Sequence, residues 1–152
     1  MLDLSQIQAN LLVSTAPRSK EDVGELAAHH VTAVLSLQTD DDLTEHGLRW
    51  EQLERWYSAV SIVPTRVPIR DFSAEDLAAR LDEAVTALAA LLAAGHIVCL
   101  HCTVGINRSP TVAIAYLVKV QGCALVDALD IVTTARPRVQ PDLRALDRLT
   151  SN

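Results

Sequence analysis

A cysteine and an arginine, Cys102 and Arg108, are separated by five residues in the segment HCTVGINRSP, residues 101–110. This spacing alone is weak, because such pairs also arise by chance. The context is stronger, since the segment follows an apolar run at residues 97–100, contains Gly105 and leads into a helix. A loop of this kind can turn successive backbone N–H groups inward and form a nest for an anion.

The residue types in this loop suit phosphate chemistry. We expect the nest and the helix dipole to favour the thiolate of Cys102, which is the nucleophilic form of cysteine. Arg108 can donate two parallel hydrogen bonds to phosphate oxygens and favour the charge of a transition state. The predicted phosphate-binding residues are Thr103, Val104, Gly105, Ile106, Asn107 and Arg108.

The same segment resembles the signature of the cysteine-dependent dual-specificity phosphatases: His-Cys, two residues, Gly, two residues, Arg, then Ser or Thr. Every fixed position matches, and the resemblance extends across most of the chain, including SPTVAIAYL at residues 109–117. It implies a phosphocysteine intermediate and no metal or other cofactor. It also implies that Ser109 stabilises the departing thiolate, and that His101 orders the loop and supports the thiolate form of Cys102.

The general acid is the remaining part of the predicted catalytic set. A carboxylic acid must protonate the leaving oxygen and later activate water. The resemblance places it on a loop about thirty residues before the cysteine, and Asp71, in IRDFS at residues 69–73, stands at that distance. Asp76 is the reserve candidate, although its place in the first turn of a helix already has an explanation as a dipole partner.

The strands and helices that must position these residues are predicted from an alternation of short β-prone segments and longer helical segments. Residues 11–14, 31–37, 62–69 and 97–101 are β-prone. Longer helical patterns intervene, the clearest beginning at Ser73 and ending at Gly95, with others near 110–120, 124–135 and 141–150. The pattern predicts an α/β fold, a single dual-specificity-phosphatase-like domain over residues 1–152 with a mostly parallel central sheet flanked by helices.

Composition narrows the classes of partner. A net charge of −6 and an aromatic content of 3% favour neither nucleic acid nor an anionic membrane. The start of the chain lacks a basic leader and its apolar segments are interrupted by charges, so we expect a soluble, cytoplasmic protein. The three cysteines are then free thiols, with Cys99 and Cys123 predicted to be packing residues.

Two other clusters have simple structural interpretations. The run 40–42, three aspartates, lacks the alternating ligand spacing of a calcium loop, and it predicts a solvated turn and helix start. Trp50, Trp56 and Tyr57 stand at helical spacing and are typical of core or rim packing, although they could also line a substrate groove.

Three functions remain open at this stage. The first is a dual-specificity protein phosphatase acting on phosphotyrosine and phosphoserine/threonine. The second is a phosphoglucan phosphatase, because IRDF at 69–72, HCT at 101–103 and VQG at 120–122 resemble the plant starch phosphatases and laforin, with Phe72 as a possible groove residue. The third is a non-catalytic phosphate-binding module. Phosphoinositides are disfavoured because the loop carries no extra positive charge, and the oligomeric state is open.

Overall fold

A computed structural model describes residues 1–150, so the last two residues of the predicted domain lie outside the described residues. The described part contains five strands: β1 (Leu4–Gln8), β2 (Leu11–Ser14), β3 (Ala33–Ser36), β4 (Val63–Arg66) and β5 (Val98–His101). It also contains seven helices: α1 (Lys20–Ala28), α2 (Asp40–Glu45), α3 (Trp50–Ala59), α4 (Ala74–Ala93), α5 (Arg108–Lys119), α6 (Leu125–Ala135) and α7 (Leu143–Thr150).

The strands form one sheet in the order β1-β2-β5-β3-β4. All neighbouring pairs are parallel except β1 and β2, so the predicted α/β fold with a mostly parallel central sheet is confirmed. The sequence pattern missed β1, because an edge strand that is only partly buried lacks a continuous apolar run. Strand β5 lies in the middle of the sheet, so the residues that follow it lie at the middle of the carboxyl edge of the parallel strands.

Two apolar clusters cover the two faces of this sheet. Along β5, Val98 and Leu100 belong to one cluster and Cys99 to the other, because successive strand side chains point to opposite faces. Cys99 is fully buried, its Sγ lies 3.1 Å from Ser14 Oγ, and burial raises the pKa of its thiol to about 12. It is therefore a protonated packing residue.

Helix α4 begins and ends where the sequence predicts. The Ser73 hydroxyl accepts a hydrogen bond from the Asp76 N–H at 3.1 Å, and Gly95 adopts φ +92° just beyond the last turn. The charged side chains of α4 at positions 80, 82 and 83 are exposed and its buried face is apolar. No helix within residues 1–150 is long and apolar enough to cross a membrane.

Helix α5 begins earlier than predicted. The sequence pattern suggested a start at Pro110, whereas the helix begins at Arg108. Pro110 is accommodated in the first turn, where its missing N–H costs nothing. The earlier start places the Arg108 backbone in the helix and gives its side chain a defined direction.

Candidate active site

The loop that carries Cys102 leaves the central strand and enters α5 at the carboxyl edge of the parallel sheet. Ligands of open α/β sheets bind at this edge, because the loops there are free to vary over a rigid scaffold. Cys102 is 2% exposed and lines a cleft of about 430 Å³. The same cleft is lined by Asp71, Phe72 and Arg108.

Within the loop, the backbone carbonyl groups are held outward. Each accepts a hydrogen bond from outside the loop: Thr103 O from Ala16 N at 2.9 Å, Val104 O from Arg136 Nη2 at 3.1 Å, Gly105 O from Arg136 Nε at 2.7 Å, and Ile106 O from Gln140 N at 2.7 Å. In the described part of the chain, the N–H groups of residues 103–107 donate no hydrogen bond to the protein. Donors without protein acceptors and outward carbonyls are the features of an anion nest.

Gly105 is required at its position for two separate reasons. Its φ of +71° lies in the left-handed region, which glycine adopts without a Cβ clash. A Cβ atom there would also lie 2.7 Å from Arg136 Nη2 and 2.9 Å from Ser14 O. Both the turn of the loop and its packing against Arg136 therefore exclude a larger residue.

Arg136 supports the loop from behind, and sequence reasoning missed it. Besides its bonds to the loop, Nη1 donates to Asp3 O at 3.1 Å and to Ser5 Oγ at 3.0 Å. The residue is buried at 6% exposure. Its position between helix α6 and Pro137 carries no sequence signal for this role, because all these partners are far away along the chain.

Ser109 lies directly beside the cysteine. Its Oγ is 3.2 Å from Cys102 Sγ, and both side chains are buried. A serine hydroxyl at this distance can donate a hydrogen bond to a thiolate and thereby stabilise the charged form.

His101 holds the backbone of the cysteine through one ring nitrogen. Nδ1 lies 2.8 Å from Cys102 O, and because a carbonyl oxygen only accepts, Nδ1 must carry the proton. Burial lowers the pKa of His101 to about 4, and the charge of Arg108 acts in the same direction. The neutral ring therefore orders the loop by a hydrogen bond and supplies no positive charge at neutral pH.

The guanidinium of Arg108 has one nitrogen fully bound to the protein, one partly bound and one without a partner. Nη1 donates to Asp42 Oδ2 at 2.7 Å and to Ile69 O at 2.8 Å, which uses both of its hydrogens. Nη2 donates to Thr103 Oγ1 at 3.0 Å and lies 3.3 Å from Asp71 Oδ2. Nε is buried and has no partner among the described residues. The edge formed by Nε and Nη2 is therefore the one that can receive phosphate oxygens.

The prediction for the aspartate run was wrong at Asp42. Asp40 and Asp41 are exposed, as expected of a helix start, but Asp42 is 8% exposed and paired with Arg108. Burial alone would raise the pKa of Asp42, but hydrogen bonds from Arg108 and Thr39 outweigh it and lower the pKa below its usual 3.8. The sequence does not show which of three consecutive aspartates is buried, because their burial depends on how α2 packs against the rest of the domain.

Of the two candidate acids, Asp71 is the one at the cleft. Its side chain is 31% exposed and Oδ1 accepts a hydrogen bond from Phe72 N at 3.1 Å. Asp76 is committed elsewhere, because Oδ2 accepts from Arg70 N at 2.7 Å and the carboxylate pairs with Arg80 at 3.6 Å. Within residues 1–150, no group of three or more His, Cys, Asp or Glu side chains could hold a metal ion.

The aromatic residues differ in their access to the cleft. Phe72 is 98% exposed, adopts φ +57° and lines the cleft beside Asp71. Tyr57 is fully buried in the apolar cluster on the other face of the sheet, with Trp50 and Trp56 packed against that cluster. The possibility that Tyr57 contacts a substrate is therefore wrong, whereas Phe72 remains accessible.

Comparison with known families agrees with this geometry. Residues 13–151 match the family model described as dual specificity phosphatase, catalytic domain. The chain belongs to the dual-specificity phosphatase family. The family membership predicted from the loop is thereby confirmed.

Relatives of the chain include a phosphoglucan phosphatase and laforin. The chain is 33% identical over 132 residues to the amyloplastic phosphoglucan phosphatase DSP4 of Castanea sativa, covering 86% of this chain and 35% of the relative. It is 29% identical over 153 residues to laforin of Mus musculus, covering 93% of this chain and 46% of laforin. The chain thus spans less than half the length of these two relatives.

A solved structure of a dual-specificity phosphatase shows the same fold. Human DUSP28 superposes with a TM-score of 0.71 at 26% identity, covering 97% of this chain and 90% of that chain. The similarity extends over nearly the whole of both chains, so the family resemblance is not confined to the cysteine loop.

Proposed function

We propose that this chain hydrolyses phosphomonoesters through a phosphocysteine intermediate. The Cys102 thiolate attacks phosphorus, the bond to the leaving oxygen breaks, and Asp71 donates a proton to that oxygen. Water then attacks the phosphocysteine, Asp71 accepts its proton, and the thiolate departs with a hydrogen bond from Ser109. Arg108 holds two phosphate oxygens throughout these steps.

One observation carries this proposal: the N–H groups of residues 103–107 and Nε of Arg108 have no acceptor among the described residues, and Cys102 lines the same cleft as Arg108. The carbonyl groups of residues 103–106 are held outward, and Nε of Arg108 is buried without a partner. Buried donors that lack partners cost free energy unless a ligand accepts from them. A tetrahedral oxyanion next to the thiol satisfies them and places phosphorus within reach of Sγ.

Phosphorylated protein is the first substrate class that we propose, in accord with family membership. Phosphorylated glucan is the second, and a specific observation favours it. Phe72 is almost wholly exposed in a strained left-handed conformation beside Asp71, and an exposed aromatic ring of this kind can stack on a sugar face. The similarity to the Castanea sativa phosphoglucan phosphatase supports the same class.

The test is phosphate release by the wild type and by Cys102→Ser, with EDTA present. The substrates are matched panels of phosphotyrosine peptide, phosphoserine/threonine peptide and phosphorylated amylopectin. We expect Cys102→Ser to abolish release and Cys123→Ser, the same change at a partly exposed cysteine outside the cleft, to leave it unchanged. Activity that survives in Cys102→Ser contradicts the mechanism.

The same panel decides the substrate class. Release from the peptides alone supports a protein phosphatase, and a strong preference for amylopectin that is lost in Phe72→Ala supports a glucan phosphatase. Wild-type protein that is silent on every substrate but still binds tungstate supports the non-catalytic binding module instead.

A further inference from the structure

We infer that Asp42 is a positioning residue that determines which edge of the Arg108 guanidinium faces the phosphate, an inference that rests on the proposed function of the loop. Asp42 and the Ile69 carbonyl take both hydrogens of Nη1. A guanidinium offers five N–H donors in a fixed plane, so fixing Nη1 fixes the direction of all the others. The edge left for the phosphate is then the one formed by Nε, which has no partner, and Nη2, whose contacts with Thr103 and Asp71 a phosphate oxygen would replace.

Asp42 acts through Arg108 and not on the substrate. It lies outside the set of residues that line the cleft, and its Oδ2 lies 2.7 Å from Arg108 Nη1. Arg108 is 2% exposed and the Asp42 side chain 11%, so their interaction is poorly screened by water. A pair of this kind resists rotation of the guanidinium more strongly than a surface pair does.

The position of Asp42 is itself fixed by local structure. Thr39 and Asp42 form a capping box at the start of α2, in which the Thr39 N–H donates to the same Oδ2 at 2.9 Å. Arg66 on β4 holds the preceding segment, donating to Gln38 O at 3.1 Å and pairing with Asp40 at 2.8 Å. The carboxylate is therefore presented to Arg108 by a rigid helix start.

Asp42 also leaves Asp71 available as the proposed general acid. Arg108 carries one positive charge, and two carboxylates lie within ion-pair distance of it: Asp42 at 2.7 Å and Asp71 at 3.3 Å. Because Asp42 supplies the closer, more buried counter-charge, Asp71 is not needed to neutralise Arg108. Without Asp42, the guanidinium is drawn towards Asp71, which removes a phosphate donor and occupies the proposed acid at the same time.

The experiment compares Asp42→Asn with Asp41→Asn, which makes the same change of charge at the neighbouring exposed position. We measure kcat and KM with an aryl phosphate, and the inhibition constant of tungstate, a tetrahedral oxyanion. For Asp42→Asn we expect kcat/KM to fall, with a loss in kcat as well as a rise in KM, and tungstate to bind at least about tenfold more weakly. Asp41→Asn is expected to match the wild type within about twofold.

A double-mutant cycle separates positioning from general damage to the fold. Tungstate binding is measured by calorimetry for Arg108→Lys with and without Asp42→Asn. Since Asp42 acts through the guanidinium, its substitution is expected to cost less than about twofold in the lysine background. An equal loss in both backgrounds, or an Asp42→Asn enzyme indistinguishable from Asp41→Asn, overturns the inference.

Asp42→Glu covers the case in which the asparagine variant folds poorly. It keeps the charge and suits the third position of a capping box, but its longer side chain displaces Arg108. We expect lower kcat/KM than in Asp41→Glu at equal thermal stability, and equal activity contradicts the inference. A wild type that turns over no substrate while Asp42→Asn still weakens tungstate binding contradicts the proposed catalysis and leaves the positioning role supported.

Discussion

Arg136 Nε lies 2.7 Å from Gly105 O, on the outer side of the loop whose inner side holds Cys102. With Nη2 bound to Val104 O at 3.1 Å, one buried guanidinium keeps two carbonyl groups of the phosphate loop directed away from the cleft. We expect Arg136→Ala to lower kcat/KM and to destabilise the fold by about 1–3 kcal/mol, because buried acceptors lose their donors.

The matched control is Arg138→Ala, which removes the same charge at an exposed position two residues away. Aryl phosphate kinetics and thermal unfolding check both variants. Equal behaviour of the two would show that the carbonyl groups stay in place without Arg136.

Alanine substitutions at Gly105 and Gly122 distinguish two contributions to the loss of stability: a strained backbone conformation and a steric clash. Both adopt positive φ, +71° and +74°, but a Cβ meets Arg136 and Ser14 at Gly105 and nothing within 4 Å at Gly122. Gly122→Ala should therefore cost about 1–2 kcal/mol from the left-handed conformation alone. Gly105→Ala should cost more and abolish activity. Chemical denaturation and kinetics test this, and equal destabilisation of the two variants contradicts it.

His101 is expected to make the fold sensitive to mild acid. Its pKa is 6.5 in the unfolded chain and about 4 when buried, so between these values the unfolded chain binds a proton that the folded chain does not. The neutral state of His101 therefore contributes about 3 kcal/mol to the free energy of unfolding. This contribution is fully present above pH 6.5 and is lost as the pH falls towards 4. Asp42 titrates below 3.8 and lies outside this window.

Denaturation curves at pH 7, 5.5 and 4 measure this loss. His101→Asn keeps a donor for Cys102 O and should flatten the profile between pH 6.5 and 4. His30→Asn, at an exposed histidine, controls for the removal of an imidazole. A wild-type profile that is already flat over this range would contradict the buried neutral state of His101.

Asp71→Asn should lower kcat by an amount that depends on the leaving group of the substrate. An alkyl phosphate needs a proton on its leaving oxygen more than an aryl phosphate with an acidic phenol does, so kcat should fall by about 10²–10⁴ for the former and less for the latter. Asp76→Asn removes a negative charge from the first turn of α4 together with its ion pair with Arg80, and it should lower thermal stability without this dependence. The same dependence in Asp76→Asn would assign the acid to Asp76.

The fold was largely predictable because its signals are local. Ser73 and Gly95 mark the ends of α4, and the apolar run 97–100 identifies the central strand, since capping and burial depend on neighbouring residues. Strand β1 was missed because an edge strand owes its structure to pairing with β2 and not to its own composition. The predicted start of α5 was too late because a proline such as Pro110 is compatible both with the first residue of a helix and with later positions in its first turn.

The sequence by itself determined the chemistry that we propose for the cysteine loop, because Cys102, Gly105 and Arg108 are close along the chain and their types are those expected of an anion nest. It could single out Asp71 only through the family resemblance. Tertiary structure alone decided which nitrogen of Arg108 is left without a partner and which residues hold the loop. Arg108 pairs with Asp42 across 66 residues and Arg136 reaches Gly105 across 31, and only the folded sheet and the helices packed on it bring those partners within hydrogen-bond distance.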